Sequence, residues 1–303
     1  MVGFEKNILK LLKSIILREV NSYYLAILSM PYKEVKMAER KITFPYLRRF
    51  NGVMAGLHFI QAMLMLVLGL IITNIKDFKL PVTYYFQSFD TEKLRLFVDS
   101  EVIGSIPIGI IVSIFLFLSA IAHFLVVLPK INNFYNSRLQ KGINYFRWFE
   151  YALSSSVMIV LISMLFGAKD IGTIVAIVGL NATMNLLGLM MEIHNQTTEK
   201  TNWTAFIIGS FSGVIPWVVI LLYFLGSAVK TPGVLEQIPW FVYAIFGTYF
   251  VLFNLFPINM VLQYKKVGKW SNYLYGERTY IVLSLVAKSL LAWLIFAGTL
   301  RPV

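Results

Sequence analysis

The sequence predicts an all-α membrane protein, a bundle of seven transmembrane helices. Composition is the first reason: 58% of the 303 residues are hydrophobic and only 14% are charged. A mean hydropathy of +0.71 lies outside the range of soluble globular domains. The second reason is length. Apolar stretches near residues 50–73, 104–128, 145–166, 171–191, 203–225, 238–262 and 279–300 can each cross about 30 Å of hydrocarbon. The third is a charge asymmetry between alternate connections.

Residues 1–44 read as a basic N-terminal extension and 45–303 as the membrane domain. Within 4–30, Ile8, Leu11, Leu12, Ile15 and Ile16 recur at helical spacing, with Lys6, Lys10, Lys13 and Arg18 on the other face. This pattern suits a basic interfacial helix, or more simply a tail that touches anionic lipid. The apolar run 23–30 is short, follows a charged stretch and ends at Met30-Pro31 without a small-residue cleavage site, which argues against a signal peptide.

After the first span, Val82–Ser88 and Leu94–Ser100 flank a polar Asp90-Thr-Glu-Lys93 turn. That alternation predicts a β-hairpin in the first extracellular loop, serving as lid, dimer contact or packed cap. Asn181, Asn185, Asn254, Pro257 and Asn259 lower the hydropathy of the fourth and sixth spans. These asparagines, with Ser155 and Ser156, suit hydrogen bonds between helices. Gly52-x-x-x-Gly56 and Gly209-x-x-x-Gly213 permit close helix contact, a weak signal in membrane proteins. Trp148, Trp203 and Trp240 fall at span ends, where an aromatic belt is expected.

With the N-terminus inside, segments 1–49, 129–147, 192–202 and 263–278 hold 19 Lys or Arg and 7 acids, while the outside segments hold 7 of each. The positive-inside rule therefore predicts a cytosolic N-terminus and, after seven spans, an extracellular C-terminus. The net charge of +12 is thus a topology signal and not a nucleic-acid footprint. The sequons at Asn195 and Asn202 then fall in a cytosolic loop, and Glu192 and His194 are expected to be solvated at the interface.

Lys288 stands alone in the last apolar segment, about 15 Å along the helix from its predicted cytosolic end. An ammonium there costs roughly 2.5–3.5 kcal/mol and cannot easily snorkel. Glu150 is the one acid comparably far inside a span, about 9 Å in. The pair suggests a protonated Schiff base with its counterion, against the plainer reading of a structural ion pair or a wet transporter cavity. Ser154 and Ser284 lie one helical turn from Glu150 and Lys288, and His58 and His123 fall at a similar cytosolic depth. Trp217, next to Pro216 in the fifth span, suits either contact with a buried ligand or simple packing. The absence of cysteine excludes disulfides and thiolate chemistry. No phosphate loop, dinucleotide fingerprint, zinc-protease or nucleophile-elbow motif occurs, and no internal repeat is visible.

Two runs carry a family resemblance: Arg147-Trp-Phe-Glu-Tyr-Ala-Leu-Ser-Ser-Ser156 in the third span and Ser284-Leu-Val-Ala-Lys-Ser-Leu-Leu-Ala-Trp293 in the seventh. With Met191-Glu-Ile-His-Asn-Gln196 and the inverted charge pattern, the chain from about residue 45 onward resembles the heliorhodopsins, retinal proteins with inverted membrane orientation. The resemblance implies a rhodopsin-like bundle with all-trans retinal on Lys288, Glu150 as the sole carboxylate counterion, and Ser154 and Ser284 near the Schiff base. It implies that His58 and His123 help hold the released proton and that the hairpin contributes to a homodimer; modulation of an unknown signalling partner is a further possibility that fits a sensor lacking an output domain, and no residue names that partner. Residues 1–44 have no counterpart in that pattern. The expected function is light sensing without net ion pumping, rather than turnover of a substrate. Light-driven or light-gated proton conduction is the first alternative, disfavoured by the lack of an acid in the outer half of any span, and a retinal-free transporter is the second.

Overall fold

The computed structural model describes residues 42–230, 233, 238 and 240–300. The basic helix expected over 4–30, and nearly all of the 1–44 extension, lie outside the described residues. Among those described, seven helices are long and apolar enough to cross a membrane. In chain order the elements are α1 (Phe44–Ile71), a short α2 (Thr73–Lys76), β1 (Lys79–Asp90), β2 (Arg95–Pro107), α3 (Ile108–Val127), α4 (Pro129–Leu139), α5 (Tyr145–Leu165), α6 (Ile171–His194), α7 (Thr204–Lys230), α8 (Trp240–Tyr264) and α9 (Tyr273–Thr299). The spans are α1, α3, α5, α6, α7, α8 and α9. This is an integral, multi-pass membrane protein.

Helix starts follow from local capping. Thr43 accepts a hydrogen bond from the Tyr46 amide and Pro45 sits in the first turn of α1, a position where its missing N–H costs nothing. Asn144, Asp170 and Asn272 cap α5, α6 and α9 through their side-chain oxygens. These caps lengthen two spans beyond the apolar runs. Helix α1 begins at Phe44 instead of near 50, and α9 at Tyr273 instead of near 279. Residues 129–139, expected to be loop, form α4, whose Asn132, Tyr135 and Leu139 are buried.

Helix α5 is the centre of the bundle. Two thirds of its apolar window (67%) is buried, against 28% for α1, α7 and α8, which turn most of their surface outward. Helices α3 and α6 pack against α5, α1 against α3, α7 against α6, and α9 against α8. Outward residues such as Ile60, Ile71, Phe211 and Val251 are exposed, as a lipid-facing surface requires.

The hairpin is antiparallel, running from Lys79↔Pro107 to Asp90↔Arg95 with an irregularity between Val82 and Thr83. Both strands are longer than the sequence pattern suggested, and residues 104–107 complete β2 instead of opening the second span. Asp90 holds the turn by accepting hydrogen bonds from the Glu92 and Lys93 amides, each 3.0 Å. The hairpin base is packed through Leu80 and Val82, and the Thr83 amide donates to the Lys169 carbonyl at 2.8 Å, joining it to the connection between α5 and α6.

Close helix contact occurs where two glycines face each other. A Cβ on Gly69 of α1 would lie 2.8 Å from the Gly109 Cα of α3, so the two backbones touch at the hairpin end. Gly52 and Gly56 make no such approach. The fifth-span pair does: a Cβ on Gly209 would meet Leu187 at 3.2 Å, and one on Gly213 would collide with Met184. Asn181 donates to Ser155 at 2.7 Å and Ser156 at 3.0 Å, and Asn185 to Ser155 at 3.1 Å, linking α6 to α5 as expected.

Candidate functional site

Helix α9 carries Lys288 into the bundle, where it is 3% exposed. Its Nζ donates to Glu150 Oε1 at 2.7 Å and to Ser284 Oγ at 2.8 Å, and lies 5.3 Å from the centre of the Tyr151 ring. Glu150 comes from α5, one turn before Ser154. The two mid-span charges singled out in the sequence are therefore a buried ion pair in hydrogen-bond contact. Such a pair is held by mutual attraction and by donors that satisfy the remaining lone pairs. One of those donors escaped the sequence reading: Ser119 Oγ of α3 donates to Glu150 Oε1 at 2.6 Å. Ser154 is buried, and its hydroxyl stands beside the Glu150 carboxylate.

His58 of α1 and His123 of α3 stack, with ring centres 5.5 Å apart and planes 9° from parallel. His123 Nδ1 is 2.7 Å from Asn51 Oδ1, while neither ring nitrogen of the fully buried His58 has a partner. The histidines predicted to share a depth do meet.

A cavity of about 290 Å³ opens beside Lys288. Its walls are largely apolar and aromatic, including Met158, Met184, Trp217, Phe250, Phe253 and Phe256, with Ser154 and Ser284 beside the amine. Trp217 is 9% exposed and meets Phe246, Phe250 and Phe253 edge-on at 5.5–5.8 Å, so it is at once a packed residue and a cavity wall. Gly188 makes room for the Trp148 ring on the same wall, since any Cβ there would clash with it. Val214 and Phe250 line the cavity and are also 56% and 48% exposed, which brings it to the bundle surface between α7 and α8.

The sequence profile of the heliorhodopsin family matches residues 47–300. This chain belongs to the heliorhodopsin family. No curated protein matches it. Among solved structures, a crystal structure of thermophilic rhodopsin is 15% identical with a TM-score of 0.45, over 84% of this chain and 93% of that one. Heliorhodopsins are retinal-binding photoreceptors, and the residues here fit that chromophore. A long, narrow polyene needs an apolar slot with a few placed polar groups, and its aldehyde needs a primary amine. This heliorhodopsin presents both, with the Ser154 and Ser284 hydroxyls lining the cavity beside the Lys288 amine.

A second polar centre in this heliorhodopsin corrects the expectation for Glu192. It is 1% exposed, not solvated. Arg147 of α5 forms ion pairs with Glu192 of α6 and Glu277 of α9. Glu192 Oε2 also accepts from the Asn144 amide at 2.9 Å and Trp148 Nε1 at 2.7 Å, and Glu277 Oε2 from Asn144 Nδ2 at 2.7 Å. Trp148 is likewise buried, at 7% exposed, instead of belonging to an interfacial belt. His194, in contrast, is exposed. Asn195, the first sequon residue, staples its loop by accepting from the Asn202 amide at 2.7 Å.

Proposed function

We propose that this chain is a light sensor in which all-trans retinal is held by Lys288 with Glu150 as its counterion. The observation that carries this reading is the buried Lys288–Glu150 contact beside an aromatic-walled cavity. Bound through Lys288 as an imine, retinal supplies visible absorption and a light-driven isomerisation. The chain's residues do the rest. Glu150 holds the positive charge on the Lys288 nitrogen, an attraction of several kcal/mol in a poorly screened site. Ser119 fixes the carboxylate from the side and Ser284 offers the nitrogen an acceptor one turn away. Trp217 and its phenylalanine neighbours exclude water from the slot and define its width. A proton released from the nitrogen is received on the side of Glu150 that faces His123, with stacked His58 behind it.

Charge distribution supports a cytosolic N-terminus, which puts the hairpin and C-terminus outside. The hairpin's exposed Leu96, Val98 and Val102 suit a homodimer contact. Return of the proton inside the protein, without transport, suits signalling to a partner that no residue identifies. The basic extension 1–44 suits attachment to anionic lipid or to that partner.

The test is a voltage-clamped cell expressing the chain with all-trans retinal, paired with a visible spectrum of the purified protein. The expected result is a visible band with no photocurrent. A sustained photocurrent would turn the reading to proton conduction, and a colourless protein to a retinal-free transporter.

A further inference from the structure

We propose that Glu277 is the terminal store for the proton released at Lys288, reached through a small polar cavity on the side of Glu150 away from the large one. The source of that proton rests on the photoreceptor reading above; the identity of the store rests on independent geometry.

Charge is the first argument. Arg147 contributes +1 and Glu192 and Glu277 contribute −1 each, so the buried cluster has one negative charge in excess. An uncompensated carboxylate in a poorly solvated site is costly, and one proton would remove the cost.

Hydrogen bonding decides which carboxylate takes it. An ionised carboxylate has about four lone-pair sites. Those of Glu192 are engaged by Arg147, the Asn144 amide and Trp148, with the Tyr273 hydroxyl at 3.4 Å. Glu277 accepts from Arg147 and the Asn144 side chain and shares the Tyr273 hydroxyl, one partner fewer than Glu192 among the described residues, so it retains a free site for a proton.

Access is the third argument. A cavity of about 40 Å³ is lined by both Glu150 and Glu277 and also by His123, Tyr135, Arg147 and Tyr280, and Glu192 is not among its walls. That volume holds a water molecule when polar partners are available. One buried donor, Arg147 Nε, has no partner among the described residues, and the Tyr280 hydroxyl belongs to a second residue on the same wall. Seven residues separate Glu277 from Ser284, about 10 Å along α9, so transfer needs this relay and cannot be direct. Tyr135, brought in by α4, is one of its walls. Burial and the nearby Glu277 carboxylate push its phenol well above the usual range, so it remains a neutral donor. From α8, Asn259 donates to the Gly276 carbonyl and Gln263 to that of Tyr273, and the Tyr264 phenol interacts with the Glu192 and Arg147 charges.

In the transfer, the N–H bond at Lys288 breaks and an O–H bond forms on Glu277 after relay past Glu150 and His123. The cluster charge changes from −1 to zero. The reverse transfer restores both sites, and no proton leaves the protein.

Light-minus-dark infrared difference spectroscopy on the full chain loaded with all-trans retinal tests this, together with an infrared pH titration of the retinal-free protein. The parent is expected to show a light-induced protonated-carboxyl C=O band that shifts in heavy water, is lost in Glu277→Gln, moves in frequency in Glu277→Asp, and persists in the exposed-loop control Glu199→Gln. In the titration, Glu277→Gln should remove one buried carboxyl signal. A light-induced band unchanged in Glu277→Gln would place the proton on another carboxyl, Glu150 or Glu192, and no carboxyl band from a parent that forms a visible pigment would leave the histidine pair as the store; either result overturns the proposal. If Glu277→Gln does not fold, an unmoved band in Glu277→Asp overturns it equally. A parent that forms no pigment defeats the photoreceptor reading, while the titration still decides whether Glu277 takes up a proton.

Discussion

Glu150→Gln is expected to remove most of the visible absorption at neutral pH. The carboxylate accepts from Lys288 at 2.7 Å and Ser119 at 2.6 Å, and it is the one carboxylate in contact with Lys288 among the described residues. Taking away one partner of a buried ion pair costs about 3–5 kcal/mol, because the remaining charge has nothing to compensate it. At about 1.4 kcal/mol per tenfold change, this corresponds to roughly two to four powers of ten in proton occupancy of the nitrogen. The absorption should therefore move toward the near ultraviolet and return on acidification, with any residual visible band at longer wavelength than in the parent. A pH series of absorption spectra of the two proteins checks this. An unchanged band at neutral pH would show that the positive charge is balanced elsewhere.

The pair was legible in the sequence for a specific reason. In apolar spans a charged residue cannot be hidden among others, so Lys288 and Glu150 select each other by elimination. The same logic failed for Arg147, Glu192 and Glu277. Hydropathy ends a span where charges begin, and so assigned Glu192 and Glu277 to loops and Trp148 to an interface. The side-chain cap at Asn272 instead carries α9 past that limit, α6 runs on to His194, and the first turn of α5 turns Arg147 and Trp148 inward, so that the charges are buried against one another. Ser119 was missed because a serine in a span usually bonds its own helix. It does reach the Phe115 carbonyl at 3.3 Å, and only tertiary packing puts its hydroxyl on Glu150. Its one hint was its position one turn before His123. The hairpin was legible from its alternation and polar turn, but its length was not. Neither was α4, a short and largely polar helix whose burial depends on the bundle above it.

Arg147→Leu is the change expected to destabilise the fold most. Its guanidinium holds Glu192 and Glu277, all three side chains being 1–4% exposed, and packs over the rings of Trp148 and Tyr280 at 4.7 and 4.1 Å. Removing it leaves two buried carboxylates without a cation. Losing one partner of a buried pair costs about 3–5 kcal/mol, and here two partners are stranded, so the loss should reach the upper part of that range. The sign of the pH dependence follows from proton uptake. Stranded carboxylates are relieved when protonated, so the deficit relative to the parent should shrink as pH falls. Thermal unfolding in detergent at neutral and mildly acidic pH measures both effects. A deficit that does not depend on pH would mean that lost ring packing, not stranded charge, is the cause.

The central claim, that Lys288 is the point of retinal attachment, is tested most directly by chemical trapping. The protein is loaded with all-trans retinal, reduced with borohydride, digested and analysed by mass spectrometry, alongside Lys288→Ala. The predicted result is a single retinyl adduct on the peptide bearing Lys288, with none in the variant. An adduct on another lysine, or a variant that still forms the pigment, would contradict it.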